Sequence, residues 1–435
     1  MPNKALILLI TLLSVVSAFA ANNEHQLYNF CRVNSCPDGF GPDTPLIFDS
    51  SGNLFGTASG GGAYGYGTVF RLTPGPHGKW TEKVLYSFNL TDGAFPVGGL
   101  VFDSAGNLYG TTYEGGAFYT CGENPVYGCG TVFQLTRSAD DHWKEKVLHS
   151  FNARGKDGYW PFSGLIFDAS GNLYGTTAAG GAYSCGGGGC GAVFQLRPSA
   201  DGKWKEKVLH SFNGKDGREP GGLIFDADGN LYGTTYLGGP YNSRCGYYGC
   251  GTVFKLSPGM NDDWTEKVLH NFNFKDGSLP DAGLIFDASG DLYGTTAAGG
   301  AYSSCGAGSG CGTLFQLTPA ANGRWKERVL HNFGKGKDGI SPAASLIFDA
   351  TGNLYGTTTG GGAYGSSCSI APCGTVFRLT LGGNGKWGET VLHSFRGVDG
   401  SDPNGALILD AAGNLYGTAG SGGAYGGGAV FEITP

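Results

Sequence analysis

Charge is scarce in this chain: Asp, Glu, Lys and Arg make up 14% of its 435 residues. The surface must therefore be rich in Gly, Ser, Thr and Tyr. No run of Lys or Arg occurs that could follow a phosphate backbone, and the formal net charge is −7, so nucleic acid is not an expected partner. After the N-terminal segment no apolar stretch approaches the roughly 20 residues that span a bilayer. Also missing are a Ser nucleophile motif, a phosphate-binding loop and HExxH, the signatures of common hydrolases, nucleotide enzymes and zinc peptidases. No cofactor and no metal is expected.

Glycine, by contrast, is abundant, with 82 residues, and it falls at fixed places in a period of near sixty residues. The unit is clearest from Gly164 to Pro220. Four β-type runs stand out there, LIFD, NLYGTT, AVFQL and EKVLHSF, each rich in β-branched or aromatic residues and bounded by turn formers. Length alone suggests about three domains, but a period this short marks one supersecondary unit repeated within a domain. The turn between the first two strands begins at Asp49, Asp103, Asp168, Asp226, Asp287, Asp349 and Asp410. Second and third strands also recur seven times. The fourth recurs six times, ending at Phe88, Phe151, Phe212, Phe272, Phe333 and Phe395. Its seventh copy lies at the other end of the chain, in Glu24 to Phe30, where EHQLYNF matches EKVLHSF. A ring closed by pairing the two chain ends explains that displacement. The sequence predicts an all-β fold, a seven-bladed β-propeller of four-stranded antiparallel blades, with the N-terminal strand completing the last blade.

The first twenty residues read as a secretory signal: Lys4 is a short positive region, Ala5 to Val16 is apolar, and Ala18-Phe19-Ala20 is a cleavage site. Residues 21–435 are then expected to form one propeller domain, monomeric, with no membrane span. Twelve cysteines fit an oxidising compartment, extracellular or periplasmic, because they fall as six close pairs: Cys31 with Cys36, Cys121 with Cys129, Cys185 with Cys190, Cys245 with Cys250, Cys305 with Cys311 and Cys368 with Cys373. A pair offers only two metal ligands and no His accompanies it, whereas structural zinc takes four. Local disulfides are expected, all on the face where strand two turns into three and strand four into one.

The repeated string LYGTTxxGG, GTVFxLTP, VLHSF, DGxxP, LIFDxxGN closely resembles the tandem repeat of the GloVer family of exported bacterial proteins, a choice-of-anchor type. The likeness covers essentially the whole chain after the signal. It implies a repeat domain sent to the cell exterior, in a family whose biochemical activity is not established. It transfers no catalytic residues. The chain ends at Pro435 with no anchoring segment after the repeats, which leaves cell attachment open.

Two sequence features gather on the disulfide face. GG(A/P)(Y/F) places Tyr64, Phe118, Tyr183, Tyr241, Tyr302, Tyr364 and Tyr425 in the loops, a ring of aromatics suited to a glycan or an extracellular protein. DGxxP places Asp38, Asp92, Asp157, Asp216, Asp276, Asp338 and Asp399, which are read as turn formers. His149, His210, His270, His331 and His393 share a slot with Tyr28 and Tyr86, so a repeated structural role is assigned to them. Trp80, Trp143, Trp204, Trp264, Trp325 and Trp387 open the fourth strand and are read as packing between blades. Catalysis needs a unique constellation, and the departures from the repeat are Glu114, Arg154, Trp160, Arg218, Glu219, Arg244 and Asp281. Trp160 joins the ligand-binding candidates. Glu114, Glu219 and Asp281 are the weak catalytic candidates, with Glu114 and Glu219 the pair considered for polysaccharide cleavage. A non-catalytic binding propeller is the leading reading, a polysaccharide hydrolase or lyase at the channel mouth the second, and a purely structural extracellular protein the third.

Overall fold

In every repeat LYGTT or a close variant forms a buried second strand, as at Leu173–Thr177. Its central glycine explains the motif. A Cβ added at Gly175 would lie 2.6 Å from the ring of Phe194, and one at Gly294 would lie 2.7 Å from that of Phe315. Glycine therefore makes room for the third-strand Phe of GTVF. That ring in turn meets the Phe ending the fourth strand of the preceding blade: Phe151 and Phe194 lie 5.1 Å apart edge to face, and Phe212 and Phe254 lie 5.0 Å apart. Such a Phe pair stands at each of the seven seams.

The computed structural model describes residues 24–121, 127–154, 156–186, 188–302, 305, 309–321, 323–364 and 373–435. The expected signal segment, 1–20, lies outside the described residues, as does Cys368. Seven four-stranded antiparallel sheets form the blades of a propeller. Six blades span 47–87, 101–150, 166–211, 218–271, 285–332 and 347–394. The seventh joins 408–433 to the N-terminal strand Glu24–Asn29, which pairs antiparallel with Ala429–Ile433. The expected closure is therefore the observed one. Among the described residues no helix is long and apolar enough to cross a membrane.

One expectation needs correction. LIFD reads as a full strand in the sequence, but its regular ladder is two residues long in six blades, as at Ile166–Phe167. Those residues are only partly buried, because the first strand faces the central channel on one side. The fourth blade differs, with an unbroken first strand from Arg218 to Phe225.

The fourth strand serves both neighbouring blades because its register slips once. In the third blade the slip falls between Val193 and Phe194, which pair with His210 and Val208. The extra residue, Leu209, turns the rest of the strand over. Ahead of the bulge Glu206 faces the preceding blade, where Asp157 and His149 are its charged neighbours. After it, His210 faces the following blade and Glu266. The same slip occurs in all seven blades.

Each seam is thereby polar at one level. His Nε2 meets the DGxxP carboxylate at 3.1 Å in His210 with Asp216, 2.9 Å in His331 with Asp338 and 3.3 Å in His393 with Asp399. In the two Tyr copies the hydroxyl donates to the carboxylate, Tyr28 to Asp38 at 2.9 Å and Tyr86 to Asp92 at 2.6 Å. Behind each pair stands the next blade's Glu, and all seven have a buried Oε1 with no hydrogen-bond partner among the described residues. Burial first, and the adjacent Asp after it, push Glu82, Glu206, Glu327 and Glu389 up to about 7 and Glu145 to about 8. Burial alone is the leading cause for Glu266, also raised to about 7, where His210 pulls the other way. Trp204 closes the outer end of its seam against Tyr109 of the preceding blade, 6.1 Å away.

Replacing Phe212 with Ala removes a buried ring from one seam and should lower stability by about 3–5 kcal/mol. Gly175→Ala should cost about 1–3 kcal/mol by displacing Phe194; chemical denaturation followed by intrinsic fluorescence measures both. The glutamates give a pH dependence of defined sign. Their folded pKa lies above the ordinary 4.5, so folding binds protons, and their contribution is complete below 4.5 and lost as pH rises through about 7. Melting temperature should be higher near pH ~5.5 than near pH ~8, and Glu206→Gln with Glu266→Gln should shrink that difference.

Candidate binding site at the channel mouth

The connection between blades carries DGxxP, and its backbone is strained. The residue before the proline has φ between +55° and +68° in all seven copies: Gly41, Phe95, Trp160, Glu219, Leu279, Ser341 and Asp402. For the six that are not glycine this left-handed conformation costs on the order of 1–3 kcal/mol each. Hydrogen bonds across the seam hold it. Trp160 N–H donates to the Cys129 carbonyl at 2.9 Å, and Glu219 N–H to the Cys190 carbonyl at 2.9 Å. Cys250, Cys311 and Cys373 accept likewise from Leu279, Ser341 and Asp402. The second cysteine of one loop thus fixes the mouth residue of the following blade.

These fixed positions are where the seven copies differ. The residue after the proline is Asp43, Val97, Phe162, Asp281, Ala343 or Asn404. In the fourth blade one residue fewer separates Pro220 from Leu223, which lets its first strand run on. The residue after the second-strand motif is Ser59, Tyr113, Ala178, Tyr236, Ala297, Thr359 or Gly420.

A central cavity of about 510 Å³ is lined by all seven blades, with Asp43, Val97, Phe162, Asp281 and Asn404 on its wall. A second cavity of about 240 Å³ shares Phe162, Gly221 and Asp281 with it, and adds Tyr113, Ala178, Glu219, Pro220 and Tyr236. Phe162 meets Tyr113 edge to face at 6.2 Å, and Trp160 stacks on the same Tyr113 at 5.6 Å. Burial, then the charge of Glu219, pushes Asp281 up to about 6. Burial raises the hydroxyls of both tyrosines, with Glu114 and then Glu219 adding to it at Tyr113 and Asp281 and then Glu219 at Tyr236. Arg218 Nε lies 2.9 Å from Glu219 Oε1, while its guanidinium rests 4.9 Å over the Tyr248 ring. The same acid pairing recurs three blades round the ring, where burial and then Asp402 push Asp43 up to about 6.

Of the candidates read from sequence, Glu219 and Asp281 come together. Glu114 does not join them: it is absent from both linings, its backbone pairs with Ala94, and burial raises its carboxyl. Of the pair considered for cleavage, Glu219 lines the cavity with Asp281 while Glu114 lies outside that lining, although the charges of Glu114 and Glu219 both act on the Tyr113 hydroxyl. The loop aromatics stand further out. Tyr64, Phe118, Tyr183, Tyr241, Tyr364 and Tyr425 are exposed, and none lines the central cavities. Tyr302 packs against a seam core. The alanine before Tyr364 is tied to the end of its blade's outer strand, Ala363 N–H donating to Ser394 Oγ at 3.2 Å, so these aromatics occupy the outer rim. Arg244 lies over Phe274 at 5.5 Å, and Arg154 is exposed away from the mouth lining.

Cys31–Cys36, Cys121–Cys129, Cys185–Cys190, Cys245–Cys250 and Cys305–Cys311 are disulfides, and Cys373 is disulfide-bonded. Two seams bring three ligand-type atoms within 4.8 Å of one another: His210, Asp216 and Glu266, and Glu24, His393 and Asp399. The two aspartates are already engaged, while Oε1 of Glu24 and of Glu266 has no hydrogen-bond partner among the described residues. Asp216 accepts from Asn213 Nδ2 at 2.8 Å besides meeting His210, and Asp399 meets Arg396 Nε at 3.3 Å besides His393. A divalent cation would have to dismantle these contacts. Tyr113, Phe162, Tyr236, Asp43 and Asp402 were not singled out from sequence. Superimposing the seven copies and reading the positions beside the proline and after LYGTT would have found them.

Solved structures with this architecture include two extracellular domains from B. thetaiotaomicron. That of the putative hybrid two component system BT3049 matches with a TM-score of 0.51 and 14% identity, over 96% of this chain and 41% of that one. That of the putative one component system BT4673 matches with a TM-score of 0.50 and 12% identity, over 91% and 39%. This likeness is one of fold, and the chain spans about two fifths of the length of those structures. No curated protein matches the chain. The Gloeobacter/Verrucomicrobia repeat matches over residues 15–186, 116–246 and 242–435, and the chain belongs to that repeat family.

Proposed function

We propose that this is an exported, non-catalytic binding propeller whose ligand, a glycan or a segment of an extracellular protein, enters the channel mouth on the disulfide-bearing face. One observation carries the reading: sevenfold symmetry breaks at the mouth, where three aromatic side chains and two carboxylates line one cavity. The strained, cross-braced positions around it supply a pre-formed surface, which lowers the ordering entropy of binding. The rim aromatics, Tyr64 to Tyr425, extend that surface outward for longer ligands. Five disulfides support an oxidising compartment. The corresponding processing is removal of residues 1–20 near Ala20, leaving 21–435 as one monomeric propeller domain.

On a glycan and peptide array the wild type should give discrete signals. Phe162→Ala with Tyr236→Ala should lower affinity for the ligand found by about tenfold or more. Tyr183→Ala with Tyr364→Ala should weaken long ligands and spare short ones. A blank array for the wild type, or signals indifferent to the mouth substitutions, removes the reading.

A second reading, cleavage of a glycosidic bond at the same mouth, is favoured by Glu219 and Asp281 sharing one cavity in which burial raises the Asp281 carboxyl, as a general acid requires. A reducing-end assay on common polysaccharides decides it: product that disappears with Asp281→Asn supports cleavage, and no product with the wild type dismisses it.

A further inference from the structure

We propose that the cavity between Glu219 and Asp281 receives a primary alkylammonium group, carried by a free polyamine or by a lysine side chain. This rests on the reading of the mouth as the binding site and names the chemistry of its ligand. The two carboxylates come from consecutive blades, Glu219 on a strained residue with φ +58° and Asp281 on the channel wall. No Lys, Arg or His lines either cavity among the described residues. The nearest cation, Arg218, is spent on Glu219 and on the face of Tyr248. The Asp281 carboxylate has no hydrogen-bond or ion-pair partner among the described residues, and its only charged neighbour of note is another carboxylate.

Two adjacent, partly desolvated carboxylates, of which only Glu219 has a cation against it, are short of a positive charge. A proton relieves this, which is why Asp281 sits near 6. An ammonium relieves it too, donating up to three hydrogen bonds. The rest of the lining suits the same guest. Phe162, Tyr113 and Tyr236 turn aromatic surface to the cavity, and aromatic faces attract cations. Val97, Leu100 and Ile166 on the adjoining wall of about 510 Å³ offer apolar contact for a methylene chain. An anionic ligand would meet repulsion from both acids, and a neutral sugar would leave Asp281 without its counter-charge.

The test is calorimetry on the purified disulfide-bonded protein with spermidine, capped trilysine, a neutral oligosaccharide and a uronic acid oligosaccharide, at about pH 7.5 and pH 5. Spermidine or trilysine should bind at the higher pH, and which of them binds identifies the source of the ammonium. Affinity should fall about tenfold at the lower pH, as a carboxyl of pKa near 6 takes up its proton. Asp281→Asn, with an unchanged melting profile, should cost about thirtyfold in affinity and abolish the pH dependence. Should neither amine bind at millimolar concentration, or should Asp281→Asn leave amine binding intact, the inference is overturned. A neutral oligosaccharide that binds, loses affinity with Phe162→Ala and ignores Asp281→Asn overturns the ammonium while sparing the mouth. Binding of any probe that ignores both substitutions overturns the two readings together.

Discussion

Edge-to-face packing of phenylalanine rings at the blade seams is the interaction on which the rest of this structure depends. The Phe that ends one blade's outer strand reaches the third-strand Phe of the next, and a glycine beneath that second ring is what leaves room for it. Because one strand must supply this Phe and His in one direction and a Glu in the other, a bulge in every fourth strand is a requirement of the ring. VLHSF, LYGTT and GTVF are the three sides of this one contact. Their sevenfold repetition reflects geometry that leaves little freedom for change.

Against that constancy the mouth is variable. The residue before the DGxxP proline holds a fixed and unfavourable backbone conformation while its side chain ranges from Gly to Trp. Strain on this scale persists only where surrounding structure over-determines it, and here carbonyls of the preceding blade's loop do so, five of the seven from cysteines. The disulfides therefore act at one remove. Each one between the second and third strands stiffens its own loop, and that loop positions a side chain belonging to the next blade.

Much of the fold was legible because the repeat is visible in the letters: the count of second strands set the blade number, and the displaced EHQLYNF announced the closure. The structural assignments of the histidines and of the DGxxP aspartates were legible for the same reason, since Tyr28 and Tyr86 keep the contact with a hydroxyl. The candidate site was less so. Tyr113 and Tyr236 share one position of the period and Phe162 holds another, in three different repeats, so no string of neighbouring letters joins them. Glu219 and Asp281 meet only because one precedes a proline and the other follows the proline one blade later. Glu114 and Glu219 looked equivalent as isolated acidic residues, yet they attach to different points of the blade. Exposed aromatics at the rim were easier to see, as they sit within a constant motif.

The closing strand has a consequence in time. Glu24–Asn29 is synthesised before every other strand of the ring, and its partner Ala429–Ile433 after every other. Until both are present the seventh blade has an unpaired strand edge and the first blade lacks a neighbour. Closure is thus a late, long-range event of the kind that makes β-rich chains slow to fold, and an open arc with free edges is a species prone to misassociation. For this protein the hazardous interval lies between arrival of the last blade and zipping of the first strand onto it. Selection on folding would act there, on how quickly six hydrogen-bonding residues find their edge.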